Sequence, residues 1–441
     1  LENQTTVGSG NTAQGQKWSF AVTPKDGIEF GARQESVNIT IGSTAPTVTQ
    51  PALNDTSLKT FEDVKATSTF NDGDGDTGTM LFIWYVNNTS VFNESITSVA
   101  SGASASSSFS SSNFSKADRV NVSVQANDGS TDSSTVFSDT VVVENTAPSA
   151  SNPVVGPAVP RVTLNLTAGY SYSDVDNDVQ AGSLIEWFKN GVEQSALENQ
   201  TAVDKSNLTK GQKWSFSVTP SDGADFGSKV SSANVTISNS PPTTTTPVLN
   251  ESIVQTFEDV SASSSLVDPD GDSGSLTFLW FVNGTNIFNE TIGGIANGAT
   301  ATSKFVSSRF VKSEIIKAHV FANDGTDDSG FLFSPERTVI NTAPSAGSVA
   351  ILPSGPATGD DIIANYTYTD VDGDVRSGTL IEWFKNGAEQ TALENQTTVG
   401  SGNTAKGERW SFSVTPKDGA EFGSKVSSAN VTIGTTAPTV T

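Results

Sequence analysis

The residues best suited to chemistry are aspartates that recur in runs of three, each separated from the next by one residue. Each repeat has a second acidic position further along, in an Asp-Gly pair. The first of these pairs in the chain begins at Asp26. Closely spaced carboxylates can bring several oxygens to one hard cation, and Ca²⁺ takes roughly six to eight oxygen ligands. The candidate ligands are Asp72, Asp74, Asp76, Asp128, Asp174, Asp176, Asp178, Asp222, Asp268, Asp270, Asp272, Asp324, Asp370, Asp372, Asp374 and Asp418.

These runs are not EF-hand loops. Counted from Asp72, the sixth position is Thr77 instead of glycine, and the twelfth is Ile83 instead of glutamate. Two interpretations therefore remain open. The aspartates either bind Ca²⁺ or simply form Asx-turns between strands, in which the side chain accepts hydrogen bonds from nearby backbone amides.

Acidic pairs occur nine to ten residues before three of the runs: Glu62-Asp63, Glu258-Asp259 and Asp360-Asp361. One strand length separates each pair from its run, which places the pair at the opposite pole of the domain. We expect the pairs to face the next domain and to share a cation with its acidic loop. The unit that begins at Pro148 has Leu164 and Asn165 instead, so its junction should depend less on a cation.

Composition excludes several classes of function. With 24 Lys and Arg against 48 Asp and Glu, the net charge of −24 opposes binding to nucleic acid or to an anionic membrane surface. The chain has no Cys and a single His, His319, so thiolate sites and repeated histidine sites are impossible. No apolar run approaches the ~20 residues of a membrane span. A catalytic carboxylate pair copied into every repeat is improbable, and we expect no enzyme activity.

The chain repeats itself. Nearly the same segment begins at Leu1, Leu197 and Leu393, two steps of 196 residues. A proline boundary recurs within that period at alternating spacings of 102 and 94 residues, and each interval has the length of one immunoglobulin-like sandwich. We call the 94-residue unit A and the 102-residue unit B. The predicted domains are half an A domain at 1–45, B at 46–147, A at 148–241, B at 242–343, A at 344–437, and the start of another B at 438–441.

The sequence pattern predicts strands and no helices. Trp214, Phe216 and Val218 alternate with serines, and the equivalent residues from Trp18 and Trp410 do the same. A tryptophan in the third strand recurs as Trp84, Trp187, Trp280 and Trp383. We interpret it as the central core residue of a sandwich, with a sugar-stacking platform as the alternative. The sequence thus predicts an all-β, tandem array of immunoglobulin-like β-sandwich domains in an alternating A-B repeat.

Glycosylation triplets are frequent in this Ser/Thr-rich chain, and about half would arise by chance. Asn38, Asn121, Asn234 and Asn430 occupy outward strand positions, where a glycan would fit. We therefore expect a heavily N-glycosylated extracellular protein. The candidate asparagines are Asn3, Asn38, Asn54, Asn87, Asn88, Asn93, Asn113, Asn121, Asn165, Asn199, Asn207, Asn234, Asn250, Asn283, Asn289, Asn365, Asn395 and Asn430.

The segments YTYTDVDGDVRSGTLIEWFKNG from Tyr366, GERWSFSVTPKDGAEFG from Gly407 and the linker TTAPTVT resemble a known type. They are similar to tandem immunoglobulin-like repeats, near the PKD-like and cadherin-like groups, of archaeal and bacterial cell-surface proteins. The W-x-F-G-D-G core of PKD domains is missing, and the linkers are of NTAP type instead of the acidic cadherin type. The resemblance covers essentially the whole chain and implies a stalk, adhesin or filament.

We therefore expect a rod, stalk or filament on the surface of a prokaryotic cell, with an archaeon favoured, stiffened by short proline-containing junctions and by Ca²⁺. The expected partners are copies of itself or a continuation of the same chain, since the repeat pattern is typical of a section of a longer array. The alternative is an adhesin that binds other surface proteins or polysaccharide.

Overall fold

The computed structural model describes residues 1–435, and the start of a further B domain predicted at 438–441 lies outside the described residues. Within the described part there is no α-helix. The short 3-10 helices are Ser9–Asn11, Ser111–Asn113, Ser195–Leu197, Lys205–Asn207, Ser307–Arg309, Thr391–Leu393 and Ser401–Asn403. Two compact units form: the first comprises Leu1–Pro160, Asn165–Asp204 and Gln212–Thr236, and the second Arg161–Leu164, Lys205–Gly211 and Ile237–Thr441. Each sheet lies within one predicted domain.

Residues 46–147 form a sandwich of two antiparallel sheets. One sheet has the order β10-β7-β5 with β6 also on β7, and the other has the order β12-β11-β8-β9 with β13 also on β11. In β7 the buried residues alternate with exposed or half-exposed ones, as the period of two requires. The strands are β5 Thr47–Val48, β6 Ala52–Leu53, β7 Val64–Asn71, β8 Gly78–Val86, β9 Thr89–Val99, β10 Ser104–Phe109, β11 Arg119–Asn127, β12 Val136–Phe137 and β13 Val141–Val142.

Residues 148–241 and 344–435 repeat a smaller arrangement. A three-stranded sheet, β14-β15-β18 or β32-β33-β36, accompanies a five-stranded one built on β16 and β19 or on β34 and β37. The strands are β14 Ser149–Gly156, β15 Leu166–Ser173, β16 Leu184–Lys189, β17 Val192–Glu193, β18 Ala202–Val203, β19 Lys213–Thr219, β20 Val230–Ser231 and β21 Val235–Thr236, then β32 Ser345–Leu352, β33 Ile362–Thr369, β34 Leu380–Lys385, β35 Ala388–Glu389, β36 Thr398–Val399, β37 Arg409–Thr415, β38 Val426–Ser427 and β39 Val431–Thr432.

Residues 242–343 follow the pattern of residues 46–147. One difference is that β24 pairs with β31 in parallel and widens the second sheet to six strands. The strands are β22 Thr243–Thr244, β23 Val248–Leu249, β24 Val254–Gln255, β25 Val260–Val267, β26 Gly274–Val282, β27 Thr285–Ile295, β28 Thr300–Phe305, β29 Ile315–Asn323, β30 Leu332–Phe333 and β31 Arg337–Ile340.

The recurrent tryptophan is a core residue in all four complete sandwiches, because its exposed fraction is 0% at Trp84, Trp187, Trp280 and Trp383. The sugar-stacking alternative is therefore wrong. In the B domains the indole N–H donates to a serine on the other sheet, Ser107 or Ser303, at 3.0 Å. In the A domains it donates to a backbone carbonyl at 2.8 Å. Burial of the ring thus leaves no polar atom without a partner.

Residues 1–45 contain only four strands of two residues each: β1 Lys17–Trp18, β2 Ala21–Val22, β3 Gln34–Glu35 and β4 Ile39–Thr40. Phe20 is 69% exposed, whereas its equivalents Phe216 and Phe412 are fully buried. The half-buried strand predicted from Trp18 is therefore wrong for this segment. Its inner face has no second sheet to pack against in the described chain.

No helix among residues 1–435 is both long and apolar enough to cross a membrane. The single histidine, His319, lies on β29 between the rings of Phe281 and Phe333. Burial lowers its pKa, with a smaller contribution from Lys317. It is a packed strand residue.

Candidate metal centres at the domain junctions

Two loops carry the aspartates, and both emerge at the same end of each sandwich. In residues 148–241 the first loop follows β15 and holds Asp174, Asp176 and Asp178, while the second follows β19 and holds Asp222. A backbone bridge between Ala181 and Asp222 joins the loops directly, and Ser377 pairs with Asp418 in the same way. The sequence-based expectation that the two loops meet is confirmed here.

Within each acidic run the side chain of the first aspartate accepts hydrogen bonds from the backbone of the other two. One carboxylate oxygen of Asp174 accepts hydrogen bonds from the backbone amides of Asp176 at 2.7 Å and Asp178 at 3.2 Å. The same pair of contacts recurs around Asp72, Asp268 and Asp370, at distances of 2.8–3.2 Å. These are Asx-turns, so the turn interpretation is correct as far as this oxygen is concerned.

The other oxygen of the first aspartate remains unsatisfied. In Asp72, Asp174, Asp268 and Asp370 the Oδ2 atom is buried and has no hydrogen-bond partner. Asp72 is only 8% exposed and Asp268 only 3%, and burial raises the pKa of Asp268. A buried carboxylate oxygen without a partner is costly, and turn formation does not require one.

The carboxylates lie close enough to share one ion. Oxygens within 4.8 Å of one another are offered by four groups: Asp72, Asp74 and Asp76; Asp174, Asp178 and Asp222; Asp268, Asp272 and Asp324; and Asp370, Asp372 and Asp374. The hydroxyls of Tyr172, whose pKa the charge of Asp174 helps to raise after burial, and of Thr146, whose amide donates to Asp176, are also buried and unpartnered. An all-oxygen set of this kind fits Ca²⁺. Asp128, Asp176, Asp270 and Asp418 fall outside these groups, although each lies in one of the same loops.

Most of these loops also receive a lysine from the preceding domain. The ammonium of Lys116 forms an ion pair with Asp178 and donates to the amide oxygen of Asn145 at 2.8 Å. The amide nitrogen of Asn145 donates in turn to Asp222 at 2.8 Å. This contact is the main reason why the pKa of Asp222 falls to about 2. The contact with Asp178 raises the pKa of Lys116.

The linker that joins residues 46–147 to residues 148–241 contains Thr146, and its backbone contacts the same acidic run. The amide of Thr146 donates to Asp176 at 2.6 Å, and the hydroxyl of Thr60 donates to the other oxygen of Asp176. These contacts, with those of Lys116 and Asn145, define what we call the second junction. The three carboxylates of the run thus have different partners. Asp174 accepts hydrogen bonds from its own loop, Asp176 accepts them from Thr146 and Thr60, and Asp178 forms the ion pair with Lys116.

Two further junctions repeat this arrangement. In the third, Lys210 pairs with Asp272, Asn239 donates to Asp324 at 2.7 Å, and the amide of Ser240 donates to Asp270. In the fourth, Lys312 pairs with Asp374, Asn341 donates to Asp418 at 2.8 Å, and the amide of Thr342 donates to Asp372 at 2.6 Å. The contacts of the lysine, the asparagine and the linker amide therefore occur at both A-to-B and B-to-A junctions.

The first junction, between residues 1–45 and 46–147, is different. Ser43 replaces the asparagine and donates to Asp128 at 2.6 Å, which lowers the pKa of Asp128 to about 2. The amide of Thr44 still donates to Asp74 at 2.6 Å. Asp76, however, has no lysine partner within residues 1–435, and burial together with Asp72, Asp128 and Asp74 raises its pKa.

The acidic pairs have local hydrogen-bond partners, and their sharing of a cation with the next domain stays a prediction. Asp63 accepts from the backbone of Ser111 at 2.7 Å, and Asp259 accepts from Ser307 and pairs with Lys304. Glu62 accepts from the backbone of Lys59 at 3.2 Å. These carboxylates bond within their own domains, and it is the nearby Thr60 that reaches the next acidic loop.

The lysines and asparagines of the junctions were missed by sequence reasoning, because residues of different domains bear no local pattern. A signal was nevertheless present. Each lysine precedes its aspartate by 62 residues, from Lys116 to Asp178, from Lys210 to Asp272 and from Lys312 to Asp374. A constant offset across alternating 102- and 94-residue units indicates a contact common to these junctions.

The predicted glycosylation sites are accessible. All of the candidate asparagines are exposed except Asn121, which is half-buried. At four of them the amide nitrogen already donates a hydrogen bond: Asn87 to Asp118, Asn113 to Ser110, Asn250 to Glu251 and Asn283 to Glu314. Glycosylation replaces one of the two N–H hydrogens of the amide, so the remaining hydrogen can still donate such a bond. Occupancy of the sites stays a prediction.

No family model and no curated protein matches the chain. Among solved structures, the FN1–FN3 domains of chicken CNTN1 are 10% identical, with 65% of this chain and 100% of that chain covered at a TM-score of 0.22. A 1.5-MDa bacterial ice-binding adhesin is 15% identical, with 67% and 98% covered at a TM-score of 0.21. Sidekick-1 immunoglobulin domains 1–4 are 10% identical, with 89% and 99% covered at a TM-score of 0.24.

The described sheets and cores themselves show an all-β array of immunoglobulin-like sandwiches.

Proposed function

We propose that the chain is a structural spacer, a stalk or filament segment at the exterior of a prokaryotic cell, built from N-glycosylated immunoglobulin-like repeats whose junctions bind Ca²⁺. The observation that supports this proposal most strongly is the recurrence of one docking arrangement at the second, third and fourth junctions. An array of independent binding modules has no need for a repeated junction. A spacer needs one, because its length depends on how its domains are held.

Several contacts at each junction hold the linker backbone in place. The linker amide is bonded to the second aspartate, and the linker asparagine is bonded to the second loop. The linker proline is also packed closely, since a Cβ added at Gly227 would lie 1.8 Å from the carbonyl oxygen of Pro148. Gly423 has the same relation to Pro344. Such contacts restrict the linker's backbone dihedrals, which a flexible linker would leave free.

The charge distribution supports a role for the cation. At the second junction Asp174, Asp176, Asp178, Asp222 and Asp225 face a single ammonium, that of Lys116. Binding of Ca²⁺ by the clustered carboxylates would satisfy the buried Oδ2 of Asp174 and reduce the repulsion. Exposed sequons and the acidic surface would limit association between edge strands.

A distance measurement tests the ordered junction. The chain has no native cysteine, so Ser95→Cys and Glu193→Cys, both at exposed positions, can carry spin labels in the first compact unit. We expect electron–electron double resonance to give one narrow distance distribution in the intact chain. Asp176→Ala removes the acceptor for Thr146 and Thr60 and should broaden that distribution.

Asp55→Ala is the matched control, because Asp55 is an acidic residue outside the junction that accepts from the amide of Ser57 in its own turn. It should leave the distribution narrow. A broad distribution in the unsubstituted chain would overturn the spacer proposal.

A further inference from the structure

The four acidic loops differ in what neutralises their third aspartate. Lys116, Lys210 and Lys312 supply an ammonium at three of them, each 62 residues before the aspartate it contacts. The residue at the same offset before Asp76 is Gln14. Gln14 is exposed, and its amide is neutral, so it brings no positive charge to the acidic loop.

The partner of that lysine is replaced as well. At the other junctions an asparagine accepts from the ammonium with its oxygen and donates to the second loop with its nitrogen, as Asn239 does between Lys210 and Asp324. Ser43 takes this position at the first junction and retains only the donation, to Asp128. The two substitutions therefore remove the cation and its acceptor together, while the linker contact from Thr44 to Asp74 stays.

The first junction is thus the acidic loop with the least compensation. Among the described residues, no ion pair reaches Asp72, Asp74 or Asp76, whose oxygens lie within 4.8 Å of one another. Independently of this clustering, the Oδ2 atom of Asp72 is buried and unpartnered in a side chain that is only 8% exposed. Clustered carboxylates without a counter-charge repel one another, and a divalent cation relieves this repulsion most effectively.

We propose that the Asp72–Asp76 loop binds Ca²⁺ most tightly of the four acidic loops, because a lysine ammonium already neutralises part of the charge at the second, third and fourth junctions. The inference rests on the proposed function, because it assigns the regulation of the same junctions. At a lysine junction an incoming Ca²⁺ meets the fixed positive charge and binds more weakly. The order of the first junction therefore depends on the ion more than the order of the other three does.

Calorimetric titration of the intact chain with CaCl₂ tests this assignment. We expect one tight site in the unsubstituted chain. Gln14→Lys should weaken that site about tenfold, because it supplies the missing ammonium at the same offset. Lys312→Gln should have the opposite effect and create a second tight site at Asp370, Asp372 and Asp374.

Glu193→Gln, a charge change on an exposed strand, is the matched control and should alter neither the number of sites nor their affinity. Far-ultraviolet circular dichroism verifies that each variant is folded. Equal affinity at all four loops, unchanged titrations in both lysine variants, or no Ca²⁺ binding at all would overturn the inference. If the spin-label distance distribution is narrow, any of these results contradicts only the Ca²⁺ assignment and not the spacer proposal. If the distribution is broad, the spacer proposal is also wrong.

Discussion

Residues 1–43 and 393–435 carry nearly the same sequence and have different structures. Their local features agree. Both contain a 3-10 helix at the same place, and in both the aspartate side chain closes an Asp-Gly turn. The amide of Ile28 donates to Asp26 at 2.9 Å, and the amide of Ala420 donates to Asp418 at 2.6 Å. The long-range features differ. Trp410 is 1% exposed on the seven-residue strand β37, whereas Trp18 is half-exposed on the two-residue strand β1.

This comparison distinguishes the turns, which a short segment forms by itself, from the long strand, which needs pairing with other strands and burial. The turns depend on residues within a few positions of one another, so they form in both copies. Strand β37 is long because β34 pairs with it from Leu380 to Lys385 and the other sheet covers its inner face. Apolar alternation makes a strand possible, and pairing with burial makes it stable.

The largest expected effect comes from truncating the tryptophan. Trp410→Ala removes a fully packed ring that contacts Trp383, and we expect a loss of about 3–5 kcal/mol in the stability of the surrounding sandwich. Trp18→Ala should change the protection of residues 1–45 very little. Hydrogen exchange followed by mass spectrometry, compared peptide by peptide, measures both. Equal losses at the two sites would contradict the comparison.

A smaller effect should follow from adding one methyl group to a matched pair of glycines. The Cβ of Gly423→Ala would lie 1.8 Å from the backbone oxygen of Pro344, so the linker must move. The nearest atom to the Cβ of Gly31→Ala would be in the side chain of Pro24, at 3.0 Å. We expect about 1–3 kcal/mol of destabilisation for the former and less for the latter, measured as urea midpoints. Similar midpoints would show that the linker is not closely held.

The smallest expected effect is on the stability of residues 344–435 at acidic pH. The hydrogen bond from Lys425, followed by that from Ser413, lowers the pKa of Glu382 below its ordinary value of 4.5. A carboxylate with a lowered pKa stabilises the fold above the unfolded-state value, and this contribution disappears as the pH falls through the folded-state value. Stability of residues 344–435 should therefore decline below about pH 4.5.

Glu382→Gln should flatten that decline in unfolding experiments between about pH 7 and pH 3. Arg33→Gln breaks a pair in which the two side chains are 65% and 64% exposed, so it should cost less than about 0.5 kcal/mol at any pH. An unchanged pH profile in the Glu382 variant would show that other carboxylates control acid unfolding.

Much of the fold follows from local pattern. The alternation around Trp214 predicts β19, and the recurrent tryptophan of the third strand predicts the core position. The site was only partly predictable. The aspartates of each run are visible in the sequence, but the burial of one oxygen of Asp268 depends on how two loops and a linker pack. The partnership of Lys210 with Asp272 crosses a domain boundary, so neither residue alone indicates it.

The constant offset between lysine and aspartate has a genetic consequence. Deleting residues 148–343, one 196-residue pair of domains, would place Asp374 again 62 positions after Lys116 and Asp418 within reach of Asn145, with matching contacts on both sides. Insertion of a further pair would likewise create no mismatched interface. Recombination between neighbouring copies can therefore lengthen or shorten the chain in steps of one pair of domains without a new set of junction contacts having to evolve.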